Sequence, residues 1–452
     1  MSTFKGEWFT ADDPGFKAAA HGQLWNQLRP TRMPEIVARV VDDQDVIYAV
    51  NYAREHGLKV VVRGGGHNWC CPSLRDGGLL IDLSRMIRIL SIDADARLAV
   101  VEPIVSNREI IAALKPYGLA YPTGHCPEVK MSGYLLSGGM SWNHGVWGPG
   151  VGSVEAIEMV TAEGKLITAD REQNRDLFWA ARGAGPGFCA ICVRYHLRLY
   201  ELPKTIACSL YYFPAEDIVS IADWLGPLAD RLTPNVELSL WMVAAPDHLK
   251  EHGKVSLVTA TVFANSQEDA EEAVRPLEGA PMMDRCLSRS FACPSSFEEI
   301  FDASGALWPS GLRCNVDAMF SNASLSDVFE SVREHYLSAP RRAVLMFAVY
   351  TGGSAPAPPS DAAFSVTGKL YGGPWTMWDE PSEDAAGIAW HDRCVALLEP
   401  LMHAHYVSET DTAGHPEFIK KAYASDNLAR IEQIRQQRDP DALFFDYREG
   451  LG

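Results

Sequence analysis

The chain has 452 residues, 47% of them apolar, and a formal net charge of −18. That length exceeds one ordinary core and predicts two domains; the apolar share excludes a disordered chain, and the acidity excludes nucleic acid and anionic membrane as partners. No run of about 18 apolar residues spans a membrane, no basic-then-apolar leader opens the chain, and ten irregularly spaced cysteines do not make a disulfide framework, so a reducing cytoplasm is the expected compartment.

In chain order, DDQDVIYAVNYAREHG reads as a helix with Asp caps, with Val46, Ile47, Val50 and Ala53 on one face and Gly57 as its stop. LKVVV is a buried strand that runs straight into Arg63-Gly64-Gly65-Gly66. GGLLIDLSRM and LAVVEP are further strands, and NREIIAALKPYG is a helix stopped by Gly118. VEAIEMVTAEGKLITA predicts a hairpin turning at Glu163-Gly164. DLFWAARGAGPGF enters another glycine loop, and CAICVRYHLRLY alternates as a strand.

Near residue 203 the character changes. IACSLYYFP, VELSLWMVAAP, KVSLVTATVF and RAVLMFAVYTGG are strand-like, with helical stretches EDIVSIADWLGPLADRL and SQEDAEEAVRPLEG between them. This mixture predicts a second α+β domain on an antiparallel sheet. GGSAPAPPSD is a loop, and HPEFIKKAYASDNLARIEQIRQQRDP reads as one helix ending at Asp439-Pro440.

Two segments carry the chemistry. VVRGGGHNWCC brings three glycines, then a histidine and paired cysteines, out of a strand. Glycines there let backbone N–H groups approach a phosphate. The loop lacks Gly-Lys-Ser/Thr and Gly-x-Gly-x-x-Gly, so mononucleotide and NAD-type loops are poor readings, and a plain tight turn competes with a phosphate site. YPTGHCPEVKMSGYLLSGGMSWNHGVWG, from Tyr121 to Gly148, is too glycine-rich for a stable helix and holds two histidines and a cysteine. Together the loops can hold one long cofactor. A zinc site from His67, Cys70, Cys71, His125 and Cys126 is the competing reading, weakened by adjacent pairs that chelate poorly. Cys70 and Cys71 otherwise read as packing residues, and His144 as an ordinary polar residue. The Trp-rich segments WPSG and PWTMWDEP read as core, with a ring on the pocket wall as the alternative.

VVRGGGHN, GHCPEVKMSGYLLSGGMSWNHGVWG, DLFWAARGAGPGFCAICVRYHLRL and YASDNLARIEQIRQQRDPDALF resemble, in order and spacing, the FAD-linked oxidases of the berberine-bridge-enzyme-like group, which share the para-cresol methylhydroxylase type of flavin domain. FWAARGAGP followed by YELP looks closest to the bacterial 6-hydroxynicotine-oxidase-like branch. The resemblance implies an α+β two-domain flavoprotein, with the FAD domain in residues 1–205 and 411–452 and an antiparallel-sheet substrate domain in residues 206–410. It implies FAD bonded through His67 to the 8α-methyl and through Cys126 to C6, and molecular oxygen as a partner beside a small-molecule substrate. Arg63, Gly64, Gly65, Gly66 and Asn68 match the pyrophosphate loop. Ser137, Gly138 and Gly139 match a second flavin-contacting run, and Ile191 and Val193 the strand beside the adenine. Thr123, Gly124, Gly133, Ser141, Asn143 and Tyr447 fall at further cofactor positions, and Val129 lines the oxygen approach, where a small side chain favours an oxidase over a dehydrogenase.

The chain departs from the family at Lys130, Ser137, Ser141 and Cys189, which replace glycines, and at Ser408, which replaces asparagine in a Tyr-x-Asn motif. Plant members carry a tyrosine base just after that motif. Here Glu409 holds the place, three residues after Tyr406, and a carboxylate in a dry pocket titrates high enough to accept a proton at neutral pH. Glu409 is therefore the first candidate base, a solvated loop glutamate being the bland alternative, and Tyr406 is the second. The expected reaction is removal of a hydride from a C–H next to an alcohol or amine, with peroxide as the reduced product of oxygen.

Overall fold

The computed structural model describes residues 4–340, 342–353 and 355–446. Among them the chain forms a four-stranded sheet, a five-stranded sheet, a two-stranded pair and a nine-stranded sheet. The four-stranded sheet has the order Glu7–Thr10, Ile36–Arg39, Leu79–Asp82, Val60–Arg63, with its last three strands parallel. Helix Asp43–His56 crosses between two of them. Asp42 caps it by accepting from the Asp45 N–H at 3.1 Å, and Gly57 ends it at φ +67°. The five-stranded sheet runs Ile89–Asp93, Leu98–Val101, Ala190–Arg198, Val154–Thr161, Leu166–Asp170, all antiparallel, with the expected hairpin turning at Gly164.

The nine-stranded sheet is antiparallel throughout. Alternate side chains on its strands go to opposite faces. Leu238, Leu240 and Met242 join Leu345 and Phe347 under the helices Ile218–Ala229, Leu325–Leu337 and Asp384–Leu398. Their neighbours Trp241, Val243 and Met346 join Tyr371, Trp375 and Tyr406 on the other face, where Trp69 of the first glycine loop and Trp25 pack against them. The sheet is thus apolar on both faces, and its second face closes over the glycine loops.

Two expectations are corrected here. The segment Tyr121–Gly148 does hold helices, Met131–Leu136 and His144–Trp147, but they are one to two turns long. Burial of Met131, Tyr134 and Leu135 supplies what glycine-poor propensity would otherwise provide. The tail is not one helix. A 3₁₀ stretch Pro416–Lys421 precedes the helix Ser425–Arg438, because Ala424 is extended (ψ 144°) as the helix's N-cap. Beyond that helix the chain returns to strand Val60–Arg63: the Val60 N–H donates to Leu443 O at 2.7 Å and Phe445 N–H to Val60 O at 3.0 Å.

Candidate functional site

One elongated cavity runs between the glycine loops and the nine-stranded sheet. Strand Val60–Arg63 delivers the first loop. The Arg63 side chain is wholly buried. Its Nη2 donates to Asp82 Oδ2 at 2.9 Å and to Ala19 O at 2.7 Å, and its Nη1 to Ala20 O. Its charge is committed to the protein, so Arg63 anchors the loop. The three glycines each answer a separate close approach. A Cβ on Gly64 would stand 2.0 Å from Ser132 Oγ, one on Gly65 2.3 Å from Lys130 Cγ, and one on Gly66, at φ +66°, 2.1 Å from Gln23 O. The first two contacts dock this loop on the second. Ser132 Oγ, on the cavity wall, is buried without a partner. A side-chain-free backbone turn beside an orphaned hydroxyl is a cradle that fits a phosphate-bearing cofactor.

His67 and Cys126 meet at this wall, with Cys126 Sγ 3.4 Å from His67 Nε2. The imidazole is tilted against Trp25, ring centroids 5.4 Å apart. Burial, with the Lys130 ammonium adding to it, lowers its pKa to about 4, so it is neutral at pH 7 with a lone pair free. Burial pushes the Cys126 thiol up to about 11, against backbone N–H bonds from Glu128 and Val129. The Cys126 turn is held by the start of helix Asn107–Leu114. Asn107 Nδ2 donates to Cys126 O at 2.8 Å, and Asn107 N–H to Val129 O at 3.0 Å. Gly124, Val129, Gly133 and Ser137 also line the cavity.

Several other expected positions stand behind this lining. Gly138 (φ +115°) lets the ring of Phe364 approach, a Cβ there falling 2.4 Å from it, and Gly139 donates its N–H to Tyr406 Oη at 3.2 Å. Thr123 is buried in the turn below. Ser141 donates to Gly148 O at 2.7 Å, and Asn143 opens the short helix at φ +55°. Ile191 lines the cavity but Val193 does not, because the pairing of its strand slips between Cys192 and Arg194 and Cys192 takes the wall instead. Tyr447 lies outside the described residues. His144 is buried, with its N–H donating to Glu237 Oε1 at 3.2 Å.

The sheet side of the cavity brings Glu409 and Tyr406 together with Tyr371, Trp308, Trp375 and Met346. Tyr371 Oη donates to Glu409 Oε2 at 2.5 Å. Burial raises the Glu409 pKa, while the Tyr371 hydrogen bond and His125 oppose the rise. Burial also raises both tyrosines. The segment bearing Glu409 is pinned at three points. Ala318 N–H donates to Glu409 O at 2.7 Å, Asp411 N–H to Asp317 Oδ1 at 3.1 Å, and Asn68 Nδ2 to Ser408 O at 3.0 Å. Asn68 therefore ties the loop of His67 to the segment of Glu409. Trp308 and Trp375 stand on the wall, ring centroids 6.0 Å apart, and Trp308 Nε1 is unpartnered. Sequence reading took those tryptophans first as core and did not single out Tyr371 or Ser132. WPSG and PWTMWDEP, with a ring on the pocket wall as the alternative to core, hinted at the tryptophans alone.

Among the described residues no group of three or more His, Cys, Asp or Glu side chains is arranged to hold a metal ion, and no helix is long and apolar enough to cross a membrane. Cys70 Sγ faces Asn68 Oδ1 (3.1 Å) and Thr412 Oγ1 (3.6 Å).

Residues 34–170 match the model of an FAD binding domain. An FAD-linked oxidoreductase, janO, of Penicillium janthinellum is 28% identical over 443 residues, covering 96% of this chain and 95% of its own. The (R)-6-hydroxynicotine oxidase of Paenarthrobacter nicotinovorans is 32% identical over 240 residues, about half of each chain (52% and 51%). The solved structure of 6-hydroxy-D-nicotine oxidase from Arthrobacter nicotinovorans superposes with a TM-score of 0.82 at 21% identity, over 98% of both chains, and shares the fold. With its cradle for a phosphate-bearing cofactor inside the matched domain, the chain carries an FAD binding domain and is similar over nearly its whole length to FAD-linked oxidoreductases.

Proposed function

We propose that the chain is an FAD-dependent oxidase, with FAD attached covalently through His67 and Cys126, that removes a hydride from a C–H next to an amine or alcohol and releases hydrogen peroxide. The observation that carries this reading is the 2.5 Å hydrogen bond between Tyr371 and Glu409 in the same cavity as the His67–Cys126 pair. When bound, FAD supplies the two-electron acceptor. His67, neutral at pH 7, offers a nucleophilic nitrogen, and Cys126 a sulfur beside it. Ser132 Oγ and the N–H groups of residues 64–66 bind the phosphates. Glu409 takes the substrate's proton at Oε1 or Oε2, and Tyr371 orients the carboxylate. Trp308, Trp375 and Met346 exclude water and offer aromatic faces, and no Lys or Arg stands among these sheet-side lining residues. That wall suits a neutral or cationic ring-bearing substrate better than an anionic one. Val129 leaves room for oxygen at the cofactor wall. A relative named as an oxidase supports the oxidase reading.

The test has two readouts. Acid-precipitated protein should keep its yellow colour, and flavin should be found by mass on the peptides bearing His67 and Cys126. Purified enzyme screened against amines, secondary alcohols and sugars should release peroxide. All flavin free in the supernatant would overturn the covalent reading. Substrate-driven bleaching without peroxide in air would convert the oxidase to a dehydrogenase.

A further inference from the structure

The nine-stranded sheet ends at an edge strand, Ser288–Ser295, paired antiparallel with Thr205–Pro214. In that register Cys208 stands directly opposite Cys293. Directly opposed residues of an antiparallel pair have Cα atoms about 4.5–5.5 Å apart and side chains on one face. A disulfide needs a Cα separation of about 4.4–6.8 Å. The register is thus compatible with that requirement, and a small adjustment with side-chain rotation brings the two thiols to bonding distance.

Three further observations set this pair apart. Cys293 is exposed and Cys208 partly so, whereas Cys71, Cys189, Cys192, Cys314 and Cys394 are buried. Both sulfurs have long contacts: Cys208 Sγ is 3.8 Å from Thr261 Oγ1, and Cys293 Sγ 3.8 Å from Phe291 O. The ladder is also bent beside them. The register slips between Cys208 and Leu210, and Ala292 sits at φ +43° with its N–H donating to Ser209 Oγ at 2.8 Å. A bulge at an edge strand adds local twist and gives slack for the small adjustment a bond needs.

We propose that Cys208 and Cys293 are an oxidative modification site at which peroxide closes a cross-strand disulfide. The exposed Cys293 thiolate attacks hydrogen peroxide: an S–O bond forms, the O–O bond breaks, and hydroxide leaves to be protonated to water. The Cys208 thiolate then attacks Cys293 Sγ: the S–S bond forms, the S–O bond breaks, and a second water leaves. In sum two thiols and one peroxide give one disulfide and two waters, so the two sulfurs together lose the two electrons that the peroxide gains. The site is placed to matter. Directly after the edge strand comes helix Phe297–Leu307, capped by Ser296, and at its end Trp308 stands on the cavity wall. A bond between Cys208 and Cys293 fastens the strand from which that wall is hung.

The experiment uses the full-length, flavin-loaded protein, reduced, freed of reductant and then treated with added hydrogen peroxide, so that its outcome does not depend on whether the enzyme makes peroxide. Expected is the loss of two thiols per chain, a tryptic cross-link joining the Cys208 and Cys293 peptides at two hydrogens below their summed mass, and its reversal by dithiothreitol. C208S should lose the cross-link and instead leave Cys293 as a sulfenic acid trapped by dimedone. C293S should lose both products. Oxidation of wild-type Cys293 to sulfinic acid without the cross-link, or joining of Cys293 between two chains at the expense of Cys208, would overturn the proposal.

Discussion

The wall at residues 63–68 and 124–137 is shaped by close approaches of glycine backbone around His67 and Cys126, and the wall at residues 308–409 by large side chains. On the first, Gly64, Gly65 and Gly66 leave no room for a Cβ because Ser132, Lys130 and Gln23 already stand there. On the second, Tyr371 and Trp375 arrive from one strand, Leu370–Trp378, and Trp308 and Glu409 from loops, and their side chains form the surface. Substitutions should therefore fail differently on the two walls. A changed glycine alters shape and should lose the cofactor, while a changed side chain opposite keeps the cofactor and should lose rate.

The largest effect expected is at Gly66. Alanine there meets Gln23 O at 2.1 Å and holds a left-handed φ that costs on the order of 1–3 kcal/mol. Gly66→Ala should abolish flavin incorporation. Gly57→Ala is the matched control, since Gly57 has φ +67° but open space around it. It should lose some stability and keep its flavin. The ratio of flavin to protein absorbance reads both, and a fully loaded Gly66→Ala protein would break the contrast between the walls.

Next comes Glu409. Glu409→Gln keeps the shape and removes the carboxylate proposed as base, so flavin reduction by substrate should fall by about 10²–10⁴-fold with the flavin content unchanged. The pH profile has a definite sign. Burial raises the Glu409 pKa, so the rate should fall as pH drops through that value and the carboxylate becomes protonated. Tyr371→Phe removes a hydrogen bond that favours the ionised form, so the acidic limb should move to higher pH. Stopped-flow reduction across pH decides the matter; identical profiles for Tyr371→Phe and wild type would detach the tyrosine from the carboxylate.

The same contrast explains what the sequence made legible. Glycines after a strand, a histidine closing the turn and the cysteine of Gly-His-Cys-Pro are neighbours in the chain, so the cofactor wall can be read as short motifs. Glu409 was reachable by position, being three residues from Tyr406. Tyr371 was not, since its contact with Glu409 spans 38 residues and depends on the order of strands in the sheet. Trp308 and Trp375 read first as core because a sheet apolar on both faces gives its strands no polar alternation, and nothing local tells the cavity face from the helix-covered face. The single tail helix failed for a related reason: His415–Ala424 is apolar enough to continue the pattern, but the chain there turns to pack Phe418 and Ile419.

A smaller effect is expected at Val129, on the cofactor wall but acting on rate. Its side chain is only partly buried and lines the cavity beside Cys126. Val129→Ile adds one methylene there without touching the glycine cradle. Reoxidation of reduced enzyme by oxygen should slow by about tenfold, equivalent to ~1.4 kcal/mol, while reduction by substrate stays near wild type. Rapid mixing of reduced enzyme with oxygenated buffer measures it. An equal slowing of both half-reactions would mean that the isoleucine had moved the flavin rather than narrowed a path.

The smallest effect concerns stability at the seam where the two walls meet. His144 lies at the end of the second glycine segment, buried between Ser141 and Tyr350, with its backbone N–H bonded to Glu237 of the sheet. Burial, with a minor contribution from His125, lowers its pKa to about 3. An unfolded histidine titrates near 6.5. As pH falls below that value the unfolded chain takes up a proton that the folded chain refuses, so folding stability declines between about pH 6.5 and 3, by at most about 1.4 kcal/mol per pH unit. His144→Asn should remove this component: its melting temperature should change less than that of wild type between pH 7 and 5. At pH 7, where His144 is neutral in both states, the variant should retain its flavin and its rate of reduction. His67, with a folded pKa of about 4, predicts the same direction of loss for flavin-free protein, so the comparison is made on the flavin-loaded form. A His144→Asn protein whose melting temperature follows wild type across this range would show that the seam does not depend on a neutral imidazole.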